Sequence, residues 1–161
     1  MINSIKVGMA DYKVLKGEGE LITLGLGSCV GIILYDPNTR IAGMAHIMLP
    51  SSQNMRNQTN LAKFADTCLD IMFQELIKMG ANKSRMVSKI AGGAQMFSIS
   101  LKNENLNIGK RNVIAVKEKL AELRIPIVAE DVHGNYGRTI RFNPMNGELH
   151  IKSIGKGEQI I

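Results

Sequence analysis

The stretch T-L-G-L-G-S-C, residues 23–29, joins two apolar runs and decides which fold is predicted for the segments around it. One apolar run, residues 21–26, leads into the turn, and the other, residues 30–35, follows it. Two glycines stand shortly before Cys29, where the backbone must change direction. The pattern therefore predicts a strand, a tight glycine turn and a second strand, with the thiol of Cys29 at the mouth of the turn.

A second turn follows at D-P-N-T, residues 36–39, and a third apolar run, residues 40–49, carries His46. If the first and last residues of this turn close a hairpin, counting back along both strands places Cys29 directly opposite His46. Directly opposed side chains share one face of a sheet, with Cβ atoms roughly 4.5–5.5 Å apart. We therefore expect the thiol and the imidazole to lie side by side, unless a bulge shifts the register.

Composition places the chain among globular proteins. It has 161 residues, of which 45% are hydrophobic, and a formal net charge of +6. No apolar run reaches membrane-spanning length and the first residues lack the apolar core of a signal peptide, so we expect a cytoplasmic protein with no direct membrane insertion and with free thiols. Aromatic residues are only 4% of the chain and the basic residues are scattered, which argues against nucleic-acid binding.

Helical spacing of apolar residues predicts two helices. The first, residues 61–79, ends at Gly80, and the second, residues 108–123, is capped by Asn107 or Asn112. Further strand-like runs occupy residues 86–90, 127–131, 139–142 and 149–154. We therefore predict an α/β fold, a single-domain α/β sandwich over residues 1–161, in which two main helices cover a mixed or largely antiparallel sheet.

Cys29 and His46 together indicate nucleophilic chemistry. A cysteine nucleophile needs a base within hydrogen-bond reach and backbone N–H donors for the oxyanion, and the backbone of Gly27, Ser28 and Cys29 can supply those donors. Thr23, on the strand that enters the turn, is a candidate to orient the other nitrogen of His46. Each residue also fits a purely structural role: a buried thiol, a hydrogen-bonded core histidine and an ordinary strand threonine.

The other titratable residues add little chemistry. The histidines and cysteines form no zinc-binding spacing, so no metal is predicted, and no Walker loop or dinucleotide-binding glycine motif indicates a cofactor. Residue chemistry alone thus points to a Cys/His hydrolase or an acyl-transfer enzyme and leaves its substrate open.

Motifs along nearly the whole chain resemble the CheD family, the chemoreceptor glutamine deamidases of bacterial and archaeal chemotaxis. The resemblance is carried by T-L-G-L-G-S-C (23–29), G-M-A-H-I-M-L-P (43–50), K-I-A-G-G-A-Q-M-F (89–97), N-I-G-K-R-N (107–112) and G-N-Y-G-R-T (134–139). His133 departs from the family pattern, which has glycine at that position. This difference alters one loop and leaves the Cys29 and His46 segments as the family has them.

The resemblance implies roles for individual residues. Cys29 would be the nucleophile, His46 the general base and acid, and Thr23 the residue that orients His46. The fold would be that of the catalytic domain of cytotoxic necrotizing factor toxins. The substrates would be selected glutamines on the cytoplasmic helices of chemoreceptors, converted to glutamates without a cofactor, and a second partner would be the phosphatase CheC, whose activity such proteins raise on binding.

The substrate site is expected to be an open cleft that accepts a glutamine protruding from a helix. Candidate cleft residues are Gly92, Gly93, Gln95 and Phe97, with Met96 as a further apolar contact. A net charge of +6 suits acidic receptor helices, so binding should weaken as salt rises. Two alternatives remain: a protein that mainly binds and regulates CheC, and a different Cys/His amidase or acyl transferase that accepts an amine instead of water.

Overall fold

The computed structural model describes residues 3–53, 60–96 and 107–161, and within these ranges the strands form two five-stranded sheets. The strands are β1 (Ser4–Lys6), β2 (Asp11–Lys16), β3 (Glu20–Leu26), β4 (Val30–Asp36), β5 (Ile41–Ile47), β6 (Val87–Gly92), β7 (Ile127–Val132), β8 (Arg138–Asn143), β9 (Glu148–Ser153) and β10 (Gly157–Ile160). The helices are α1 (Ala65–Met79) and α2 (Ile108–Glu122), and short 3-10 turns cover Leu61–Lys63 and Lys83–Arg85.

Both sheets are mixed. The sheet that we call the outer sheet has the strand order β1-β3-β8-β9-β10, with β1 and β3 parallel and the other neighbours antiparallel. The central sheet has the order β2-β5-β4-β6-β7, with β6 and β7 parallel and the others antiparallel. Consecutive strands β3 and β4 therefore lie in different sheets, and the chain crosses between them at the Cys29 turn.

The central sheet is covered on both faces. Every residue of β4 is buried, which explains why residues 30–35 are continuously apolar rather than alternating. Val30, Ile32 and Leu34 pack against the two helices, whereas Ile33 and Tyr35 pack against the outer sheet. The protein thus has three layers, namely helices, central sheet and outer sheet. One apolar core, the helix-side core, lies between the helices and the central sheet, and the other lies between the two sheets.

The helix ends follow local sequence signals, with one exception. Gly80 ends α1 in the left-handed conformation at φ 112°, as predicted, and the side chain of Asn107 accepts a hydrogen bond from the Lys110 N–H at the start of α2. The predicted start at Leu61 is wrong, because Phe64 is extended and interrupts the helix. The backbone around Phe64 pairs with Leu49, so a tertiary contact overrides the helical pattern here.

The predicted fold class, an α/β sandwich with two main helices and mixed sheet pairing, is confirmed. The division of the strands into two stacked sheets was not predicted from the sequence. The likeness to the catalytic domain of cytotoxic necrotizing factor toxins stays a prediction. No helix within the described ranges is long and apolar enough to cross a membrane.

The predicted register between β4 and β5 is wrong. Asp36 pairs with Ile41, and His46 pairs with Gly31 rather than with Cys29. The connection spans residues 37–40, and Arg40 takes a left-handed conformation at φ 59° while its N–H donates to the Asp36 carbonyl over 2.8 Å. The turn is therefore longer than predicted, and Cys29 is a diagonal neighbour of His46 instead of a direct one.

Candidate functional site

Thr23 of the outer sheet and His46 of the central sheet form a hydrogen-bonded chain with the backbone of Val7, which follows β1. The Oγ1 atom of Thr23 in the outer sheet lies 2.7 Å from Nδ1 of His46 in the central sheet and 2.7 Å from the carbonyl oxygen of Val7. A carbonyl only accepts, so the single hydroxyl proton of Thr23 goes to Val7. The Thr23 oxygen must then accept from Nδ1–H, which leaves the lone pair of His46 on Nε2.

The imidazole of His46 is held in a neutral, basic form. Its Nε2 atom is buried and has no hydrogen-bond partner in the described chain, and the residue is only 1% exposed. Burial lowers the pKa of His46 below its usual value of 6.5, because the charged imidazolium is poorly solvated there. A neutral imidazole with a fixed tautomer and a free Nε2 can accept a proton from a nearby nucleophile.

Cys29 directly precedes β4, has 8% of its surface exposed, and packs in the core between the sheets. Burial raises the pKa of its thiol above the usual value, and its own backbone N–H opposes that shift. No hydrogen bond joins the sulfur to Nε2 of His46 in the described chain, since Nε2 has no partner. Burial thus favours the neutral form of both the thiol and the imidazole.

The end of β6 supports the Cys29 turn from behind. The N–H of Gly93 donates to the Cys29 carbonyl and the N–H of Ala94 donates to the Gly27 carbonyl, each over 2.9 Å. Gly92 is buried at φ 109°, and a Cβ built on it would lie 2.4 Å from the Cys29 carbonyl oxygen. Only glycine fits there, so Gly92 and Gly93 hold the backbone of the turn rather than line an open surface.

Gly92→Ala is expected to disturb Cys29 as well as the fold. Gly155→Ala is the matched control, because Gly155 has φ 76° and open space around its α-carbon. We expect Gly155→Ala to cost about 1–2 kcal/mol of unfolding free energy through its backbone conformation. Gly92→Ala adds about 1–3 kcal/mol from the clash and changes the rate at which iodoacetamide alkylates Cys29. Urea unfolding and alkylation kinetics check both values, and equal behaviour of the two variants would contradict this account.

The other predicted cleft residues lie on one segment beside the turn. Met96 is 46% exposed, and a Cβ on Gly27 would approach its Cγ to 3.2 Å, so Met96 is an apolar surface next to Gly27 in the Cys29 turn. The Oε1 atom of Gln95 accepts from the side-chain amide of Asn107 over 2.8 Å, which ties this segment to α2. Phe97 lies outside the described residues.

The sequence predicts Asn112 only as a possible cap of α2, and the structure gives it a different place. It is completely buried, and its side-chain amide donates to the carbonyl oxygen of Ser28 over 2.9 Å. The helical stripe contains the signal that could have revealed it. Asn112 precedes Val116 and Leu120 at intervals of one helical turn, and a polar residue on such a buried stripe needs a polar partner.

Other groups in the described chain show no competing chemistry. No three His, Cys, Asp or Glu side chains come close enough to hold a metal ion in the part that the structure describes. A hollow of about 560 Å³ lies on the outer sheet and includes Thr139 and Arg141. These residues alternate with the inward-facing Ile140 and Phe142, so this hollow opens away from Cys29.

Known proteins were compared with the chain by sequence. A family model described as "CheD chemotactic sensory transduction" matches residues 48–153. A "Probable chemoreceptor glutamine deamidase CheD" of Lachnoclostridium phytofermentans is 57% identical over 98% of both chains. Its counterpart from Caldanaerobacter subterraneus subsp. tengcongensis is 56% identical over 98% of this chain and 97% of its own. The "Chemoreceptor glutamine deamidase CheD" of Halalkalibacterium halodurans is 51% identical over the full length of both.

The fold was also compared with solved structures. The hypothetical protein YfiH of Bacillus licheniformis matches with a TM-score of 0.40 and 14% identity, over 70% of this chain and 46% of its own. That likeness is too distant to bear on function. The sequence relatives, by contrast, match from end to end and at high identity, so the chain belongs to the CheD family.

Proposed function

We propose that this protein deamidates glutamine side chains on the cytoplasmic helices of chemoreceptors and works in the cytoplasm. The observation that carries the proposal is the state of His46: buried, neutral, held by Thr23 as the Nδ1–H tautomer, and with an Nε2 that has no hydrogen-bond partner in the described chain. A histidine that served only the core would use both ring nitrogens in hydrogen bonds. Relatives named chemoreceptor glutamine deamidases support the choice of substrate.

The proposed reaction passes through a thioester. As Sγ of Cys29 attacks the side-chain amide carbon of the glutamine, its proton moves to Nε2 of His46. Backbone N–H groups of Gly27, Ser28 and Cys29 hold the negative oxygen of the tetrahedral intermediate. The protonated imidazole gives its proton to the leaving nitrogen, and ammonia departs. Neutral His46 then takes a proton from water, which attacks the thioester and releases glutamate, and the proton returns to the sulfur.

The gap between sulfur and Nε2 closes in this reaction by rotation of the small Cys29 side chain. Catalytic hydrogen bonds in proteins without substrate are often long and tighten when the substrate binds. Burial keeps both groups neutral beforehand, which avoids the cost of a charged pair in the core between the sheets. The substrate amide then meets a thiol whose proton acceptor is already oriented.

The substrate surface is an extended helix rather than a small molecule. Met96 stands exposed beside Gly27 and offers an apolar contact for the methylene groups of the glutamine. A formal net charge of +6 favours an acidic helix over a basic one. Binding should therefore weaken as ionic strength rises.

Mass spectrometry of a purified receptor cytoplasmic fragment tests this function. After incubation with the protein, we expect a gain of about one mass unit at particular glutamines and release of ammonia. The same reaction with an added primary amine separates hydrolysis from acyl transfer, because an acyl transferase would attach the amine. A fragment whose glutamines keep their original mass under all conditions would contradict the proposal.

We also propose that the protein binds the phosphatase CheC and raises its activity. This proposal rests on membership of the CheD family. The Cys29→Ala variant separates the two roles, since it lacks the nucleophile and keeps the surface. Phosphatase assays of CheC with this variant should show the same stimulation as with the wild-type protein, and unchanged CheC activity with both proteins would remove this partner.

The pH dependence should carry the signature of His46. Because its pKa lies below 6.5 and the base must be neutral, kcat/KM is expected to fall only as the pH drops below that value. The raised pKa of Cys29 keeps the thiol protonated at neutral pH, so the pH profile of kcat/KM should show no change near neutrality that is caused by ionisation of the thiol. A profile of kcat/KM between about pH 5 and 8 checks this, and an acid limb centred above the usual histidine value would contradict it.

A further inference from the structure

Asn112 joins the two segments that carry Cys29 and His46. Its side chain extends from α2, is completely buried, and donates through Nδ2 to the carbonyl of Ser28 over 2.9 Å and to the carbonyl of Met48 over 3.0 Å. Ser28 directly precedes Cys29, and Met48 follows the strand that contains His46. One amide group thus sets the relative position of both segments.

The chemistry of these contacts determines which way the amide points. Both partners are carbonyl oxygens, which only accept, so the nitrogen of Asn112 must face them. Its Oδ1 atom remains buried without a partner in the described chain. A side chain present for stability alone would not leave an acceptor unsatisfied in this way, because such an atom costs free energy. The two N–H groups of the Asn112 side-chain amide are therefore the atoms that matter for the Cys29 and His46 segments.

The hydrogen bond to Ser28 also orients the next N–H group. In a trans peptide the C=O of one residue and the N–H of the next point in opposite directions. With the Ser28 carbonyl held towards α2, the N–H of Cys29 points away from the helix, towards its own sulfur, where it favours the thiolate. Within residues 3–53, 60–96 and 107–161 this N–H donates to no other group.

The preceding peptide is held in the same manner. The Gly27 carbonyl accepts from the N–H of Ala94, so the N–H of Ser28 is turned the other way and likewise donates to no acceptor in the described chain. Two adjacent N–H groups thus donate to no oxygen acceptor in the described chain, and that of Cys29 lies next to the sulfur. Unpaired, pre-oriented backbone donors are what an oxyanion requires.

We propose that Asn112 is a positioning residue that orients the Ser28–Cys29 peptide as an oxyanion donor and keeps it in register with the strand of His46. This inference rests on the proposed function, since it concerns the tetrahedral intermediate of that reaction. Asn112 does not touch the substrate. It acts through the N–H of Cys29 and through the Met48 carbonyl.

Two reactions of Cys29 separate this role from a general effect on folding. Deamidation forms an oxyanion, whereas alkylation by iodoacetamide displaces iodide at a saturated carbon and forms none. Asn112→Ala is therefore expected to lower kcat for the receptor fragment by about 10²–10³-fold, the usual effect of losing an oxyanion donor, with KM little changed. Its alkylation rate should stay within about threefold of wild type, because burial rather than the Cys29 N–H is the larger influence on the pKa of the thiol, and the acid limb of the pH profile should not move.

Val116→Ala is the matched control, because Val116 is equally buried one turn further along α2 and packs in the helix-side core. It should lower the melting temperature and leave kcat within about threefold of wild type. If Asn112→Ala proves too unstable to purify, Asn112→Ser, whose shorter side chain carries a single donor and does not reach both carbonyls, must show the same separation between deamidation and alkylation.

The outcomes distinguish this inference from the proposed function. A wild-type protein that leaves the receptor fragment unchanged would overturn both. A wild-type protein that deamidates, with Asn112 variants that deamidate equally well, would overturn only the role of Asn112. So would a parallel loss of deamidation and alkylation, because that result means that Asn112 positions the sulfur itself and not the oxyanion donor.

Discussion

Replacing Cys29 with alanine is expected to abolish deamidation while the protein stays folded. Loss of the nucleophile removes the covalent pathway altogether, and in catalytic triads such a loss lowers kcat by about 10⁴–10⁶-fold. The substitution deletes a single sulfur atom from the buried side chain of Cys29, so the fold loses little packing. Mass spectrometry of the receptor fragment measures the reaction, and circular dichroism with thermal unfolding verifies the fold.

Cys68 supplies the matched control for this experiment. It is completely buried on the core-facing side of α1, and burial raises the pKa of its thiol to about 12, so it is chemically inert at neutral pH. Cys68→Ala should keep full activity and lose about 1 kcal/mol or more of unfolding free energy from the cavity. Deamidation that survives in Cys29→Ala, or that disappears in Cys68→Ala alone, would contradict the assignment of the nucleophile.

The shared face of Cys29 and His46 could be predicted from the sequence although their register could not. Side chains alternate along a strand, so an error of one residue in the turn moves a residue to the opposite face, whereas an error of two restores the face. The turn at residues 37–40 is longer than the sequence pattern indicated. As a result Gly31, and not Cys29, lies opposite His46, which is a shift of two residues that keeps Cys29 on the same face. The face was thus correct and the distance was not.

Contacts between the two sheets were beyond the reach of local patterns. Thr23 was selected for its nearness to Cys29 in the sequence, but its hydrogen bond to His46 exists because β3 and β5 lie in different sheets that face each other. The carbonyl of Val7, which accepts the hydrogen bond from Thr23, belongs to the backbone, so no residue type in the sequence could have indicated it. Apolar periodicity predicts which residues are buried, and it carries no information on which sheet a strand joins.

The requirements of a nucleophile and of a general base also explain why Cys29 and His46 lie where the chain crosses between the two sheets. A general base buried inside one sheet would be enclosed by its neighbours, and a nucleophile on an exposed loop would lack fixed N–H donors. At the crossing from β3 to β4 the thiol packs in the core between the sheets, and His46 of β5 is hydrogen-bonded to Thr23 of β3 across the same space. His46 is 1% exposed, whereas 8% of the surface of Cys29 remains exposed.

His46→Ala is expected to be the second most damaging substitution. Without the imidazole the thiol has no proton acceptor and the leaving nitrogen has no proton donor, so kcat should fall by about 10²–10⁴-fold. The pH dependence should change as well. The acid limb of the profile should disappear, and the residual rate should rise steadily with pH, because hydroxide alone must then ionise a thiol whose pKa burial has raised.

His150 provides the control, since it lies on β9 with 37% of its side chain exposed and its Nε2 is 3.2 Å from Glu148. His150→Ala should keep the wild-type rate and the wild-type acid limb. Alkylation of Cys29 gives an independent measure, because His46→Ala should slow it at neutral pH while His150→Ala should not. An acid limb that persists in His46→Ala would assign the base to another group, and the free Nε2 in the core would then need a different explanation.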